Sequence, residues 1–504
     1  MCAVKQHVIH DYAEAPQPTH ETVIVDGVLR YPPTDLNVLV VGGGPGGYLT
    51  ALECWRKGHG VELVEKLSTN SPTGDAFLLS PSGVCFLKYY PALIEEYKKW
   101  TWDLAIGISR LDGTPIVPSF DFEWNRTGVP EHAAWPLRVR TMMARTGLAT
   151  MLYDQCQRLG IKVTFGVSVV NYLENATEGT ATAVANDGRQ FTADIVVAAD
   201  GLGTKSHQIV LGQPVRAIPT GYSIARFMYS LDGIQNPILD QLRDIKRGVL
   251  RISSGNGFHS SICLTNSHVL FTLTSPDNGT AEESWSAGVT PDEVLSRIPD
   301  LEGLDPLVIE IIRNVPQEKT LISWKLCWRD PQEKWTSPEG RVIQLGDSAH
   351  AFIPTSLMGA STALEDAQSL PECLRLAGKA KANLGTKVHE LLRVRRVAII
   401  QRTGFSNRSQ SHQEGGMEAA VKNSIDNDPT RMGKWVWTHN PERYATEKFA
   451  QALAHLEAGA PFEHTNIPPG FKWESGWTME KELEKEKLGI KTEELKQNGD
   501  WSVY

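Results

Sequence analysis

The chain has 504 residues, 41% hydrophobic and 22% charged, a globular composition that excludes a disordered or fibrous protein. Its 50 basic and 59 acidic side chains give a net charge of −9, which excludes a broad basic face for nucleic acid. No apolar run approaches the roughly 18 residues of a membrane-spanning helix, and residues 1–20 lack the apolar stretch of a secretory signal, so a cytoplasmic protein is expected.

Residues 1–34 read as a polar N-terminal extension. Within it Thr22–Val25 and Val28–Arg30 flank Asp26-Gly27, a pair suited to a tight hairpin turn. Asn37–Val41 is a short β-branched strand that stops at Gly42-Gly43-Gly44-Pro45-Gly46-Gly47. A helical pattern with Leu49, Leu52 and Trp55 on one face follows, and Val61–Glu65 is the next strand. This strand–helix–strand order implies a parallel sheet. The glycine cluster fits G-x-G-x-x-G, in which glycines permit a tight turn and close approach of backbone to a pyrophosphate held at a helix N-terminus. Glu65 stands eighteen residues beyond Gly47, near the spacing of a ribose-binding carboxylate. Lys66 beside it does not by itself indicate a 2′-phosphate.

A helix centred on Leu148–Leu159 leads to the strand Ile161–Phe165, and a hairpin surrounds Asp187-Gly188. Asp194–Ala199 is a nearly unbroken apolar strand, expected to be buried on both faces, and it ends in Asp200-Gly201. From 213 to 328 short alternating stretches predict a mainly antiparallel sheet. Arg341–Leu345 is again a strand, ending in Gly346-Asp347-Ser348-Ala349-His350, with Pro354, Gly359, Glu365 and Asp366 beyond. Asp347 can accept hydrogen bonds from sugar or ribityl hydroxyls. An esterase reading of Gly-Asp-Ser lacks a G-x-S-x-G elbow.

The predicted fold is therefore α/β. Residues 35–212 and 329–405 form two parts of a Rossmann-like nucleotide-binding domain, the first also supplying sheet-domain strands near 75–137. Residues 213–328 are an inserted antiparallel substrate-binding sheet, and 406–504 are a C-terminal extension in which Pro468-Pro469-Gly470 and Trp473 to Trp477 resemble an anchored strap and Met479–Leu488 a charged helix. The seven cysteines are scattered without a C-x-x-C pair, and no H-E-x-x-H, EF-hand or Walker lysine occurs, so neither disulfides nor a metal site are expected.

Taken in order, the three motifs resemble the single-component FAD-dependent aromatic monooxygenases, in particular the salicylate-hydroxylase-like branch found in fungal natural-product pathways. The resemblance spans about residues 37 to 405. It implies that Gly42, Gly44 and Gly47 hold the FAD pyrophosphate, and that Glu65, with Lys66 beside it, lies at the adenosine ribose. Arg145 would touch the flavin side, and Asp200 would serve both FAD and NADPH or NADH. Asp347 would bind the ribityl chain, and Pro354, Gly359 and Ala360 would lie against the isoalloxazine. It further implies that NAD(P)H reduces FAD and that one oxygen atom of O2 enters an electron-rich aromatic substrate through a flavin C4a-hydroperoxide. Arg226, in Gly221-Tyr222-Ser223-Ile224-Ala225-Arg226, resembles the family's pocket-lining strand and is the first candidate to hold a phenolate; Tyr222 and His259 are further candidates. Trp324, Arg329 and Pro331 resemble a stretch that precedes the third motif.

Two departures stand out. Leu357-Met358-Gly359 replaces the family's Gly-Gln-Gly, and Thr204 and His207 stand where Ser and Arg are usual. Two other functions remain open: a flavin-dependent halogenase, for which only Trp435-Val436-Trp437 speaks, and a non-catalytic FAD-binding protein. The substrate, the type of oxygenation, the choice of NADPH or NADH and the oligomeric state are left open.

Overall fold

A computed structural model describes residues 22–70, 74–129, 138–255, 257–279, 281, 288–316, 321–412, 415–424, 428–488 and 495–501. Asp26 and Gly27 both take positive φ, 50° and 74°, and turn Val23–Val25 back on Val28–Arg30. Two mirror-image turn residues in succession match the right-handed twist of paired strands.

Asn37–Val41 lies at the centre of a five-stranded parallel sheet. The strand order is Lys162–Phe165, Gly60–Glu65, Asn37–Val41, Ile195–Ala198 and Val342–Gln344. Alternation of side chains decides what each face covers. Val38, Val40, Leu63, Ile195 and Val197 point to one face, where they share a core with Leu49 and Leu52 of the helix Pro45–Arg56 and with Leu364 and Leu370 of the helix Gly359–Ala377. Leu39, Val41, Val64, Val196 and Ala198 point to the other face, which is covered by the three-stranded sheet Val169–Asn175, Thr180–Ala185 and Gln190–Ala193. Burial on both faces explains the unbroken apolar runs, each large side chain contributing about 1.5–3 kcal/mol.

The second large sheet has seven strands in the order Ile322–Trp328, Ile218–Ser230, His268–Pro276, Phe258–Leu264, Gly248–Gly255, Leu104–Ser109 and Pro115–Phe120. Gly248–Gly255 and Leu104–Ser109 run parallel; the other neighbours are antiparallel. Ala225, Phe227, Tyr229, Phe271 and Leu273 face a core completed by Val308, Ile311 and Ile312 of the amphipathic helix Pro306–Arg313. The intervening residues face the nucleotide-binding domain and form one wall of the site described below. A small sheet of Ala76–Leu78, Met142–Ala144 and Thr101–Trp102 is formed by the segment between the parallel strands Gly60–Glu65 and Lys162–Phe165.

The C-terminal part is mostly helical. The division at 405/406 falls inside one continuous helix, Ala382–His412. Further helices, Gly416–Lys422, Lys434–Trp437, Pro441–Ala458 and Met479–Lys487, follow. The Pro441–Ala458 helix is clamped to the first helix of the chain by buried charges. Glu442 accepts hydrogen bonds from Arg56, at 2.5 Å, and from Lys57, and Lys57 also reaches Glu372 at 2.7 Å. Only the stretch 468–478, irregular and carrying Trp473 and Trp477, behaves as an anchored strap; Trp477 packs against Trp328 and Phe405 at ring separations of 5.7 and 6.0 Å. No described helix is long and apolar enough to cross a membrane.

Candidate active site

A cavity of about 400 Å³ runs from the glycine turn to the seven-stranded sheet. At its nucleotide end the turn after Asn37–Val41 is constrained by backbone contacts. Gly42 has φ 111°, and a Cβ there would sit 2.3 Å from the carbonyl oxygen of Ala199. Gly44 is different: a Cβ on it would meet no protein atom within 4 Å, because the space above it belongs to the cavity. That space lies at the N-terminus of the Pro45–Arg56 helix, where unpaired N–H groups favour an anion. The turn therefore fits a dinucleotide pyrophosphate.

Glu65 closes the second parallel strand. It accepts from the backbone N–H of Gly43 at 2.5 Å and of Leu67 at 2.9 Å. Its carboxylate thus sits beside the glycine turn, although it does not line the cavity, and Lys66 points outward as an exposed side chain.

The late motif brings Asp347 to the cavity wall, exposed to it, directly after Gly346 with φ 62°. Arg145, at the start of the helix Arg145–Arg158, lines the same region. Burial pushes its pKa down, the charge of Asp347 opposes this, and Arg226 adds to the lowering. Pro354, Gly359 and Ala360 complete this part of the wall. Leu357 lies among them with φ 59° and ψ 4°, the left-handed conformation that a glycine takes without strain and a leucine does not. A glycine at this position would take that conformation without strain, whereas Leu357 holds it at the cost of strain.

Asp200, expected at the cofactors, stands beside the cavity. Ala199 and Gly201 line the cavity, but the Asp200 carboxylate turns away from it. It accepts from Tyr172 Oη at 2.7 Å and from Ser348 Oγ at 3.1 Å, and Ser348 in turn accepts from the N–H of Gly201 at 2.9 Å. Burial raises its pKa. Its position ties the middle motif to the late motif through Ser348. Arg329 reinforces that join by donating to the carbonyls of Leu202 and Asp347. Gly42 likewise shapes the turn without reaching the cavity.

The sheet end of the cavity is built by register. Arg226 pairs with Thr272, Thr272 with Ser261, and Ser261 with Ile252, one row across four strands. Ile224, Thr274 and His259 form the next row, two residues away. Leu250, Cys263 and Leu270 add apolar surface. The wall is thus largely apolar, with hydroxyls, an arginine and a histidine at fixed positions.

Arg226 does not stand alone in it. Its Nε donates to Oδ2 of Asp75 at 2.6 Å and its Nη2 to Oδ1, a two-point pair. The carbonyl of Asp75 also accepts from the backbone N–H of Arg145 at 2.8 Å. Arg226 therefore ties the seven-stranded sheet to the segment that holds Arg145. Asp75 gave no signal in the sequence, being 151 residues from its partner. Tyr222 lies outside the cavity lining, its ring against His412 with centroids 4.7 Å apart. His259 does line the cavity. Of the predicted residues, Gly44, Gly47, Arg145, Arg226, His259, Asp347, Pro354, Gly359 and Ala360 are brought together, while Gly42, Glu65, Lys66, Asp200 and Tyr222 stand behind or beside the wall.

Beneath the late motif lies a buried ion network that sequence reasoning left without a role. Glu365 and Asp366 bind Arg393, Glu365 also binds Arg396, and Asp366 meets His350 at 2.6 Å and accepts from the N–H of Gly346 at 3.3 Å. Arg396 donates to the carbonyls of Trp435 and Val436, so the C-terminal region supports the cofactor turn.

Comparison with known proteins decides what this cavity belongs to. Residues 35–402 match the family model described as FAD binding domain. The chain is 38% identical over 487 residues to FAD-dependent monooxygenase fsr3 of Gibberella fujikuroi, covering 94% of this chain and 91% of that protein. It is 38% identical over 492 residues to FAD-dependent monooxygenase mdpD of Emericella nidulans, covering 94% and 92%. The chain belongs to the FAD-dependent monooxygenases. Among solved structures the monooxygenase is similar to FqzB, with a TM-score of 0.75 at 25% identity, covering 88% of this chain and 99% of that one. It is similar to CtdE in complex with FAD and substrate, with a TM-score of 0.73 at 25% identity, covering 84% and 100%. Salicylate hydroxylase shares the fold, with a TM-score of 0.61 at 20% identity, covering 82% and 98%. As an FAD-dependent monooxygenase it uses FAD, and its co-substrates are O2 and a small molecule.

Proposed function

We propose that this monooxygenase consumes NADPH or NADH and transfers one oxygen atom of O2 to an electron-rich aromatic natural product, a phenol or an indole. The observation that carries this reading is the continuity of the cavity. One end has the open space over Gly44 and the carboxylate of Asp347; the other has the apolar rows of the sheet with Arg226 and His259.

Bound FAD supplies electron transfer from the nicotinamide and the activation of O2. Gly44 and the N–H groups of the Pro45–Arg56 helix would hold its pyrophosphate, Asp347 would serve its ribityl hydroxyls, Arg145 and Pro354 to Ala360 would border its ring, and Glu65 would act from behind the wall by bracing the glycine turn. Ile224, Leu250, Ile252 and Leu270 exclude water from the ring of the substrate and hold it flat. Arg226, held in place by Asp75, puts a guanidinium at that end, a donor suited to a phenolate or other ring oxygen. Proton removal from a phenol activates the ring toward an electrophilic oxygen.

The halogenase reading is disfavoured by placement. Trp435–Trp437 stand in a short helix outside the cavity, and among the described residues no lysine lines it.

The test is turnover by the FAD-loaded protein with NADPH or NADH and a panel containing salicylate, indole and 2-naphthol. Expected is a product heavier by one oxygen, labelled when heavy-isotope dioxygen is supplied. Label arriving from water instead, or chloride incorporation, would overturn the reading.

A further inference from the structure

The cavity wall contains a histidine whose partner was invisible in the sequence. His259, on the strand Phe258–Leu264, meets His412, the last residue of the helix Ala382–His412. Nδ1 of His259 lies 2.7 Å from Nε2 of His412, with ring centroids 5.0 Å apart. The ring of Tyr222 packs on His412 from one side. Arg408 lies one turn earlier on the same helix.

The two nitrogens outside this bond differ. Nδ1 of His412 is sealed from solvent and has no hydrogen-bond partner among the described residues. Nε2 of His259 is not among the sealed, unpaired atoms, and the residue is 9% exposed where it lines the cavity. Nε2 is therefore the atom that His259 presents to a ligand.

Electrostatics then place the protons. Burial disfavours the charged form of both rings: His259 is lowered to about 3, with the charge of His412 adding, and His412 to about 4, with Arg408 adding. Near neutral pH two neutral rings share one hydrogen bond. If Nε2–H of His412 donates, its sealed Nδ1 keeps only a lone pair, beside a cation that tolerates it. The reverse arrangement seals an N–H without an acceptor, the costlier orphan. The first arrangement leaves the proton of His259 on Nε2.

We propose that His259 donates a hydrogen bond from Nε2 to an oxygen of the aromatic substrate, and that His412 is the positioning residue that sets this tautomer. The substrate end of the cavity is then a site for a ring bearing an acceptor oxygen, a carbonyl, phenolate or carboxylate, facing this strand. The inference rests on the aromatic-oxygenation reading for its substrate, but the tautomer is a property of the chain alone.

The deciding experiment records the ring-nitrogen shifts of nitrogen-labelled histidines in the FAD-loaded protein, with signals assigned from His259→Gln and His412→Gln. Expected for His259 is a protonated Nε2 and a bare, hydrogen-bonded Nδ1. His412→Gln, whose amide N–H still donates, keeps that pattern; His412→Leu loses it and His259 averages between tautomers. A proton on Nδ1 of His259 in the wild type, or an unchanged His259 signal in His412→Leu, overturns the proposal. A second arm uses 2-naphthol as the substrate probe. KM rises on the order of tenfold in His412→Leu and stays within about twofold in His412→Gln, with kcat changing less; equal KM in the two variants overturns the positioning role. If the wild type does not oxygenate 2-naphthol, that result counts against the substrate reading alone, and the nitrogen shifts decide the tautomer.

Discussion

A methyl group on Gly47 would sit 2.0 Å from the carbonyl oxygen of Gly42, whereas one on Gly44 would touch no protein atom at all. The two glycines of one turn therefore carry separable tasks. Gly44 has φ −77° and ψ 171°, which alanine adopts freely. Gly44→Ala is expected to fold with an unchanged melting temperature without cofactor, and to bind FAD at least about tenfold more weakly because the methyl occupies the pyrophosphate space. Gly47→Ala is expected to cost about 3 kcal/mol or more of stability. Thermal melts of the cofactor-free protein beside fluorescence titration with FAD separate the two; equal losses of stability would contradict the assignment.

The pair between Arg226 and Asp75 predicts a coupling. Asp75 is 7% exposed and Arg226 20%, so removing either side chain leaves a largely buried charge. Arg226→Ala and Asp75→Ala should each lower turnover efficiency by about 10- to 150-fold, corresponding to roughly 1.5–3 kcal/mol. Both should also weaken FAD retention, since the backbone of Asp75 holds the N–H of Arg145. The double variant should be little worse than either single one. Additive losses in a double-mutant cycle would show that the two side chains act independently.

The clamp at Glu442 predicts that the C-terminal region is needed for stability. Glu442→Gln leaves Arg56 and Lys57 short of a buried partner and should destabilise the protein by about 3–5 kcal/mol. Glu447→Gln, one turn along the same helix, breaks only an exposed pair with Arg443 and should change stability by less than about 1 kcal/mol. Urea unfolding of both variants checks the contrast.

Acid sensitivity follows from the buried groups. Burial lowers the pKa of His59 to about 4 and of His389 to about 3, and lowers His439 strongly. For Asp366 burial acts upward, but His350 and Arg393 outweigh it and bring the value to about 2; for Glu442 the charges of Arg56 and Lys57 likewise reverse the effect of burial. All of these groups bind protons more weakly in the fold than in the unfolded chain, where histidine titrates near about 6.5 and carboxyls near about 4. The unfolded state therefore takes up protons first as pH falls. Stability should be full above about pH 6.5, decline below it as the histidines titrate, and fall faster below about pH 4. Melting temperatures recorded from neutral to acid pH test this; a flat profile would contradict it.

Six cysteines among the described residues are free thiols, five of them buried. Melting temperatures with and without reductant should agree; a large drop on reduction would show a disulfide dependence that the described residues do not account for.

Much of the fold was legible because local geometry leaves local marks. The glycine cluster had to follow a strand and open a helix, Asp26-Gly27 had to form a mirror-image turn, and Asp194–Ala199 had to be buried on both faces. Even the weak departure at Leu357 was visible, since a glycine pattern records a backbone dihedral. The short alternating stretches between 213 and 328 similarly announced strands with two unlike faces.

The sequence by itself therefore determined the domain class, the position of the cofactor turn and the order of the three motifs, all of which depend on residues within a few positions of one another. Tertiary structure alone decided the partners. Arg226 finds Asp75 across 151 residues, His259 finds His412 across 153, and Arg56 finds Glu442 across 386. It also turned Asp200 away from the cavity toward Tyr172, and placed Tyr222 behind the wall that His259 enters. The physical reason is that a turn or a strand is specified by its own dihedrals and side-chain alternation, whereas an ion pair between domains is specified by how whole sheets and helices dock, and that docking is a sum over many distant contacts that no short stretch of sequence records.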